Sequence, residues 1–267
     1  MRLWKKVSIG VSSGVLLLVL GVVVVGYYLS AHIAGERLAR VQASPHYHEG
    51  GFVNPERQAP YELTWDYLRE QFFGEQQRVP PAPLPVMMLP TDYLNGPAPE
   101  ALRATWLGHS SVLIEMAGLR LLTDPVLSGR ASPVQFAGPE RFHPSPLPLA
   151  ALKNIDAVVI SHNHYDHMDE ATVRHLAAQG TVFFLPLGAG AHLEAWEVPA
   201  AQIIELDWWE TRPFGELALV ATPTRHYSGR GLFDYKATFW SSWSILGPDA
   251  RVFFSGDSGY SKLFAEV

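Results

Sequence analysis

The sequence contains no cysteine. Disulfides, zinc–thiolate sites and cysteine nucleophiles are excluded. Any metal must therefore be held by histidine and carboxylate, which suits zinc, iron or manganese. Charge is also scarce: Asp, Glu, Lys and Arg make up 17% of the 267 residues, while 48% are hydrophobic. The usual charged share is about a quarter, so a chain of this length and apolarity has ample core and is not disordered as a whole. The net charge is −6, and no basic stripe runs through the body of the chain, which argues against nucleic acid as a partner. No repeat of fixed period is visible.

What is present begins with a long apolar run, "VSIGVSSGVLLLVLGVVVVGYYLSA", with no formal charge from Val7 to Ala31. As a helix it would span ~37 Å, against ~30 Å of bilayer hydrocarbon. Arg2, Lys5 and Lys6 precede it, and Tyr27 and Tyr28 suit the far interface. Residues 1–31 are therefore expected to form a transmembrane helix, a single-pass membrane anchor with the remaining chain on the extracytoplasmic side. A signal peptide cleaved near Ser30 to Ala34 is the alternative. Gly10 and Gly14 form a Gly-x-x-x-Gly that would let two such helices pack as a homodimer.

Residues 32–100 read as an N-terminal extension that packs on the main domain. A short helix is expected from Ala34 to Val41, and an amphipathic one in "LTWDYLREQFFGEQ"; the Pro-rich "RVPPAPLPVMMLP" excludes a helix or central strand. Trp65, Leu68, Phe72 and Phe73 fall near helical spacing, and either dock on the core or, with Met87 and Met88, present an apolar face to lipid. From residue 101 the pattern changes to strand, turn, strand in "ATWLGHSSVLIEMAGLRLLTDPVL", followed by strands alternating with helices. Asp169 is placed as the N-cap of the helix "EATVRHLAAQ", with Gly180 just past its end. This order favours a layered α/β sandwich with sheets inside and helices outside.

Four metal-capable side chains crowd into "SHNHYDH": His162, His164, Asp166 and His167. On one helix, residues two apart would face different sides; on a strand, residue 167 would face away from 162, 164 and 166. Only a loop leaving a strand can aim all four into one cleft, and the strand "DAVVI" directly precedes them. Strand C-terminal ends are also where α/β architectures place their sites.

His-x-His-x-Asp-His is the signature of the metallo-β-lactamase superfamily, and this chain resembles it completely. "TWLGHSSVLIEMAGLRLLTDPVLSGRASP", "GPERF", "IDAVVISHNHYDHMD", "IELDWWE", "SWSILGP" and "FFSGDSGY" occur in an order similar to the N-acylphosphatidylethanolamine-hydrolysing phospholipase D family, over residues 50–267. The resemblance implies an αββα sandwich (the metallo-β-lactamase fold) holding two divalent metal ions, usually zinc. His162, His164 and His226 would hold the first, Asp166 and His167 the second, and Asp257 would bridge them. Asp166 and Asp257, the implied catalytic pair, would orient a metal-bridging hydroxide that attacks a phosphodiester, releasing N-acylethanolamine and phosphatidate from a membrane lipid substrate. Asp124 would hydrogen-bond a ligand histidine, and His109 would support the site or polarise substrate. Each also has a plainer role: His109 as a satisfied strand-end histidine, Asp124 as a turn former before Pro125. Tyr165 and Tyr227 flank ligands, and Trp208, Trp209, Trp240 and Trp243 are expected in the core.

The family pattern requires a further downstream histidine, and the sequence ends at Val267 before one occurs. His143, His175 and His192 lie in other contexts. The hydrolase domain, residues 101–267, is therefore expected to be C-terminally incomplete, with an open edge on its second sheet. Hydrolysis of another ester, a lactone or a small phosphodiester, and a non-catalytic anchored protein are the other readings.

Overall fold

The structure is a computed structural model that describes residues 2–56, 64–74 and 79–267, with side chains from residue 14 onward but not those of 71 and 72. The chain opens with α1 (Arg2–Leu29) and α2 (Gly35–Ala43), then a two-stranded ribbon of β1 (Tyr47–His48) and β2 (Gly51–Phe52), then α3 (Trp65–Phe73). The expected transmembrane helix is not borne out, and the single-pass anchor and membrane localisation fall with it: among the described residues no helix is long and apolar enough to cross a membrane. The described side chains of α1 cover residues 14–29. The last turn is also tied to the body of the protein. Leu232 packs so closely on Gly26 that a Cβ there has no room, and Ser30 Oγ donates to the Gly26 carbonyl at 2.7 Å while accepting from the Phe233 N–H at 3.1 Å. Arg2, Lys5, Lys6 and Gly10, which supported the anchor and the helix pairing, lie outside the described side chains, as does Phe72.

Val41 of α2 and Phe52 of β2 are buried with Leu187, Trp208, Phe239 and Trp240 in one aromatic cluster. Arg37 of α2 reaches Glu205 at 2.9 Å. By contrast, Trp65 and Phe73 of α3 are 76% and 83% exposed, so neither docks on the core.

The main body is two sheets. β3 (Arg103–Gly108), β4 (Ser111–Met116) and β5 (Leu119–Thr123) form an antiparallel meander; Ala117 and Gly118, both at positive φ, make the β4–β5 turn. β6 (Ala157–Val159), α4 (Glu170–Ala177), β7 (Val182–Pro186), α5 (Gly190–Ala195) and β8 (Ile203–Leu206) then add three parallel strands, giving the order β3-β4-β5-β6-β7-β8. β9 (Thr211–Phe214), β10 (Leu217–Thr222), β11 (Ser242–Leu246) and β12 (Arg251–Phe254) build a second, antiparallel sheet in the order β12-β11-β10-β9.

Adjacent residues of a strand face opposite sides, so the central strands read as unbroken apolar runs. Leu121, Val159 and Phe184 face the second sheet and meet Leu219, Trp243 and Ile245. Leu122, Val158 and Phe183 face the other way, under Val173 and Leu176 of α4 and Leu193 of α5. This is the expected sandwich, with helices outside the first sheet. On the outer face of the second, Phe253 stays 46% exposed beside Phe264 of a short 3-10 turn (Lys262–Ala265).

Candidate metal centre

The loop 161–168 leaves the C-terminal end of β6, and Asp124 leaves the neighbouring end of β5. The two ends stay paired, since the Asp124 N–H donates to the Val159 carbonyl at 2.9 Å. Within the loop the His167 and Met168 N–H groups both donate to the His164 carbonyl, at 3.1 and 2.9 Å, which turns the chain back on itself. His162, His164, Asp166 and His167 are thereby gathered at one edge of the sandwich.

His226 follows β10 and joins the first two histidines. Its Nε2 lies 3.1 Å from His162 Nε2 and 3.3 Å from His164 Nδ1, and those two nitrogens are 2.8 Å apart. The backbone of His226 is held by Asn54, whose Nδ2 donates to the His226 carbonyl (2.7 Å) and whose Oδ1 accepts its N–H (3.2 Å). Asp257 follows β12. Its Oδ2 stands 3.3 Å from His167 Nε2 and 4.0 Å from His226 Nε2, between the two groups. Gly256 permits this approach: it sits at φ +53°, and a Cβ there would lie 2.5 Å from Ser161 Cβ.

Asp124 is fully buried and at positive φ (34°), a costly conformation for a non-glycine residue. Its carboxylate accepts from the Ser161 N–H (2.6 Å), from Ser161 Oγ (2.5 Å) and from His167 Nδ1 (2.6 Å). With Nδ1 donating to Asp124, His167 directs Nε2 into the cleft, where it is buried and makes no hydrogen bond. Ser161 Oγ, having donated to Asp124, accepts from His162 Nδ1 at 2.9 Å, which leaves the His162 Nε2 lone pair facing His164 and His226. His109 closes the other side, its Nε2 3.3 Å from Asp166 Oδ2. The β3–β4 pairing slips between Trp106 and Gly108, and Gly108 and His109 both take positive φ; this bulged turn aims the ring at Asp166.

The electrostatics of the His162–His164–His226 group match. Burial, then the neighbouring rings, hold His162 well below the ordinary histidine value, and His226 is lowered to about 4 by burial and His164. Burial lowers His164 as well. These three imidazoles are neutral at pH 7 and offer lone pairs. Burial alone would lower His167 too, but Asp124, Asp257 and Asp166 together outweigh it and raise His167 to about 10. Burial raises the Asp166 carboxyl, yet His109 and His167 more than offset this and keep it well below the carboxylate range.

The donor set fits a divalent cation. The ring nitrogens of His162, His164 and His226 lie within 3.3 Å of one another, close enough to share one ion. Nitrogen and carboxylate oxygen donors around the orphaned His167 Nε2 are the chemistry of zinc-type sites. All eight residues expected from the sequence lie at this edge. The two weaker ones are placed more definitely than the motif allowed: Asp124 against His167, and His109 directly against Asp166 rather than behind a ligand.

Residues 119–266 match the family described as the beta-lactamase superfamily domain. The chain belongs to this superfamily. An uncharacterized protein of Mycobacterium tuberculosis is 44% identical over 244 residues, covering 90% of this chain and 64% of that protein. The N-acyl-phosphatidylethanolamine-hydrolyzing phospholipase D 1 of Caenorhabditis elegans is 35% identical over 186 residues, 66% of this chain and 52% of the relative. The mitochondrial enzyme of the same description in Saccharomyces cerevisiae is 31% identical over 170 residues, 61% of this chain and 36% of the relative. The chain thus spans about two thirds or less of the length of these relatives.

Several contributors escaped the sequence reading. Asn54 lies 172 residues from His226 and has no local motif. Ser161 stands inside the quoted motif, but only the fold shows that its hydroxyl links His162 to Asp124. Asp169 precedes α4 as expected, but its side chain caps no N–H of that helix. Instead it accepts from the Leu127 and Ser128 N–H groups at 3.2 and 3.1 Å, fastening the wall of the cleft. Tyr227 stands 4.8 Å from the His164 ring, whereas the half-buried Tyr165 lies under the Arg230 guanidinium. Trp208, Trp240 and Trp243 are core residues; Trp209 is half-exposed.

Proposed function

We propose that this protein is a metal-dependent phosphodiesterase of phospholipase D type, hydrolysing N-acylphosphatidylethanolamine-like lipids to N-acylethanolamine and phosphatidate. The observation that carries the reading is the convergence of His162, His164 and His226 beside Asp166 and His167, with Asp257 within 3.3 Å of His167 and 4.0 Å of His226. The first three would hold one ion and Asp166 and His167 the second, with Asp257 reaching both; nitrogen and oxygen donors of this kind favour zinc. Two such ions, when bound, supply an acidified water and offset charge on phosphoryl oxygens.

The remaining work falls to the chain. Asp166 is ionised and positioned to accept a proton from the attacking water, and His109, 3.3 Å from Asp166 Oδ2, orients that carboxylate. The water oxygen bonds to phosphorus, the P–O bond to the N-acylethanolamine breaks, and the departing oxygen takes up a proton. Asp124 fixes His167, and through Ser161 also His162. A cleft of about 830 Å³ opens over the site, with Leu84, Trp106, Val126, Phe142 and Tyr227 among its walls. That volume and the apolar part of its lining suit acyl chains. The nematode and yeast relatives carry this activity in their names, which supports the same substrate class here.

The test is turnover by the zinc-loaded protein of N-acylphosphatidylethanolamine in mixed micelles, of a soluble phosphodiester and of a lactone. N-acylethanolamine release that falls at least about 100-fold in H162A and D257A is expected. Hydrolysis of the lactone with none of the lipid would contradict the substrate assignment.

A further inference from the structure

Asn163 is the residue that the ligand pattern skips. It lies between His162 and His164 and is fully buried, and its amide is committed to groups other than the site nitrogens. Oδ1 accepts the Gly229 N–H at 2.8 Å; Nδ2 donates to His192 Nε2 at 3.1 Å and reaches Asp234 Oδ2 at 3.4 Å. Gly229 is three residues beyond His226. One side chain therefore joins the two loops that carry the histidine triad.

Asp234 organises the second loop. Its Oδ1 accepts the N–H groups of Arg230 (2.9 Å) and Gly231 (2.7 Å), closing that turn on itself. Its Oδ2 accepts the Ala31 N–H at 3.0 Å, just past the end of α1. Arg230, on the same turn, reaches back across the metal loop. Its Nη1 donates to the Asn163 carbonyl at 3.2 Å and the Met168 carbonyl at 2.7 Å, and its guanidinium lies 3.9 Å over the Tyr165 ring. The loop from residue 163 to 168 is thus strapped at both ends by the loop that follows His226.

Asn163, His192 and Asp234 are all buried, and none belongs to the candidate ligand set. Burying so many polar groups gives little stability over an apolar filling of the same shape. What such a network does provide is a single register between the segments it joins. We propose that Asn163 and Asp234 are positioning residues for the His162–His164–His226 group: they lock the metal loop to the His226 loop and so set the affinity of that group for its ion, with Ala31 tying the end of α1 into the same lock. This rests on the metal reading above and goes beyond it, because it assigns control of one ion to residues that touch neither.

The experiment uses the whole chain and its D234N and N163S variants, each titrated with Zn²⁺ against a chromophoric chelator, with thermal melting of the metal-free forms alongside. D234N keeps the shape of the carboxylate, and N163S keeps a small polar side chain, so either can report should the other fail to fold. Each variant is expected to lose about 10- to 100-fold in affinity for one ion and to leave the second within about twofold. A lower melting temperature with both affinities unchanged would reduce the network to packing and overturn the inference while leaving the metal reading intact. A wild-type chain that takes up no Zn²⁺ would overturn the metal reading, and the inference with it.

Discussion

At the scale of single residues, the site depends on buried groups that touch no reacting atom. Asp124 shows this best. It is fully buried, sits in a strained backbone conformation, and accepts from Ser161 and His167 at 2.5–2.6 Å. Removing one partner of a buried ion pair leaves the other charge unpaired, at a cost of about 3–5 kcal/mol. D124A is therefore expected to lower the unfolding free energy of the metal-free protein by roughly that amount in urea titrations, and to free the His167 ring. A change below about 1 kcal/mol would mean that the pair is not ionic. The role of Asp124 was legible from "LLTDPV" only as one of two readings, turn former or histidine partner, because sequence carries no distance. The fold selects the second: β5 and β6 are neighbours, so the residues leaving their ends must meet.

At the scale of elements, short-range order was readable and long-range order was not. "AVVI" before "SHNHYDH" announces a buried strand opening into a loop, and β6 and the metal loop occupy that stretch. β9 gave no such signal: its four residues include Pro213, which is tolerated because β9 is the edge of its sheet. The role of the β1–β2 ribbon was equally invisible, because its partners lie far along the chain. His46, next to that ribbon, has its ring 4.6 Å from Trp208 and 5.3 Å from Phe239. Burial lowers its pKa, and nearby Asp207, which opposes this, and His48, which adds to it, do not reverse the direction. The unfolded chain, with an ordinary histidine near 6.5, then takes up a proton before the folded one does. The neutral ring's contribution to stability is thus complete above about pH 6.5 and is lost as pH falls below it. H46Q is expected to flatten the pH dependence of unfolding between about pH 7 and 5; an unaltered slope would show that this ring does not titrate with folding.

At the scale of the molecule, one loop from one sheet and two from the other bring six side chains to one edge of a sandwich. The topology expected from the strand and helix order is present, with helices outside the parallel strands and two sheets packed through Phe184, Leu219 and Trp243. The N-terminal helix departs from expectation. An uncharged run reads as a membrane span because hydropathy is summed without tertiary contacts, yet among the described residues no helix is long and apolar enough to cross a membrane. Instead Gly26, Ser30 and Ala31 are hydrogen-bonded to the loop that follows His226. The start of the chain is thereby linked to the metal loop through Asp234, a connection that only the folded chain reveals.

The convergence of histidine and carboxylate at that edge is explained by divalent ions, and counting them tests it most directly. Native mass spectrometry of the purified chain after loading with Zn²⁺ and removal of excess metal should show two ions per chain, with D257A retaining fewer. A wild-type chain that holds less than one ion would contradict the metal centre and the hydrolytic chemistry built on it.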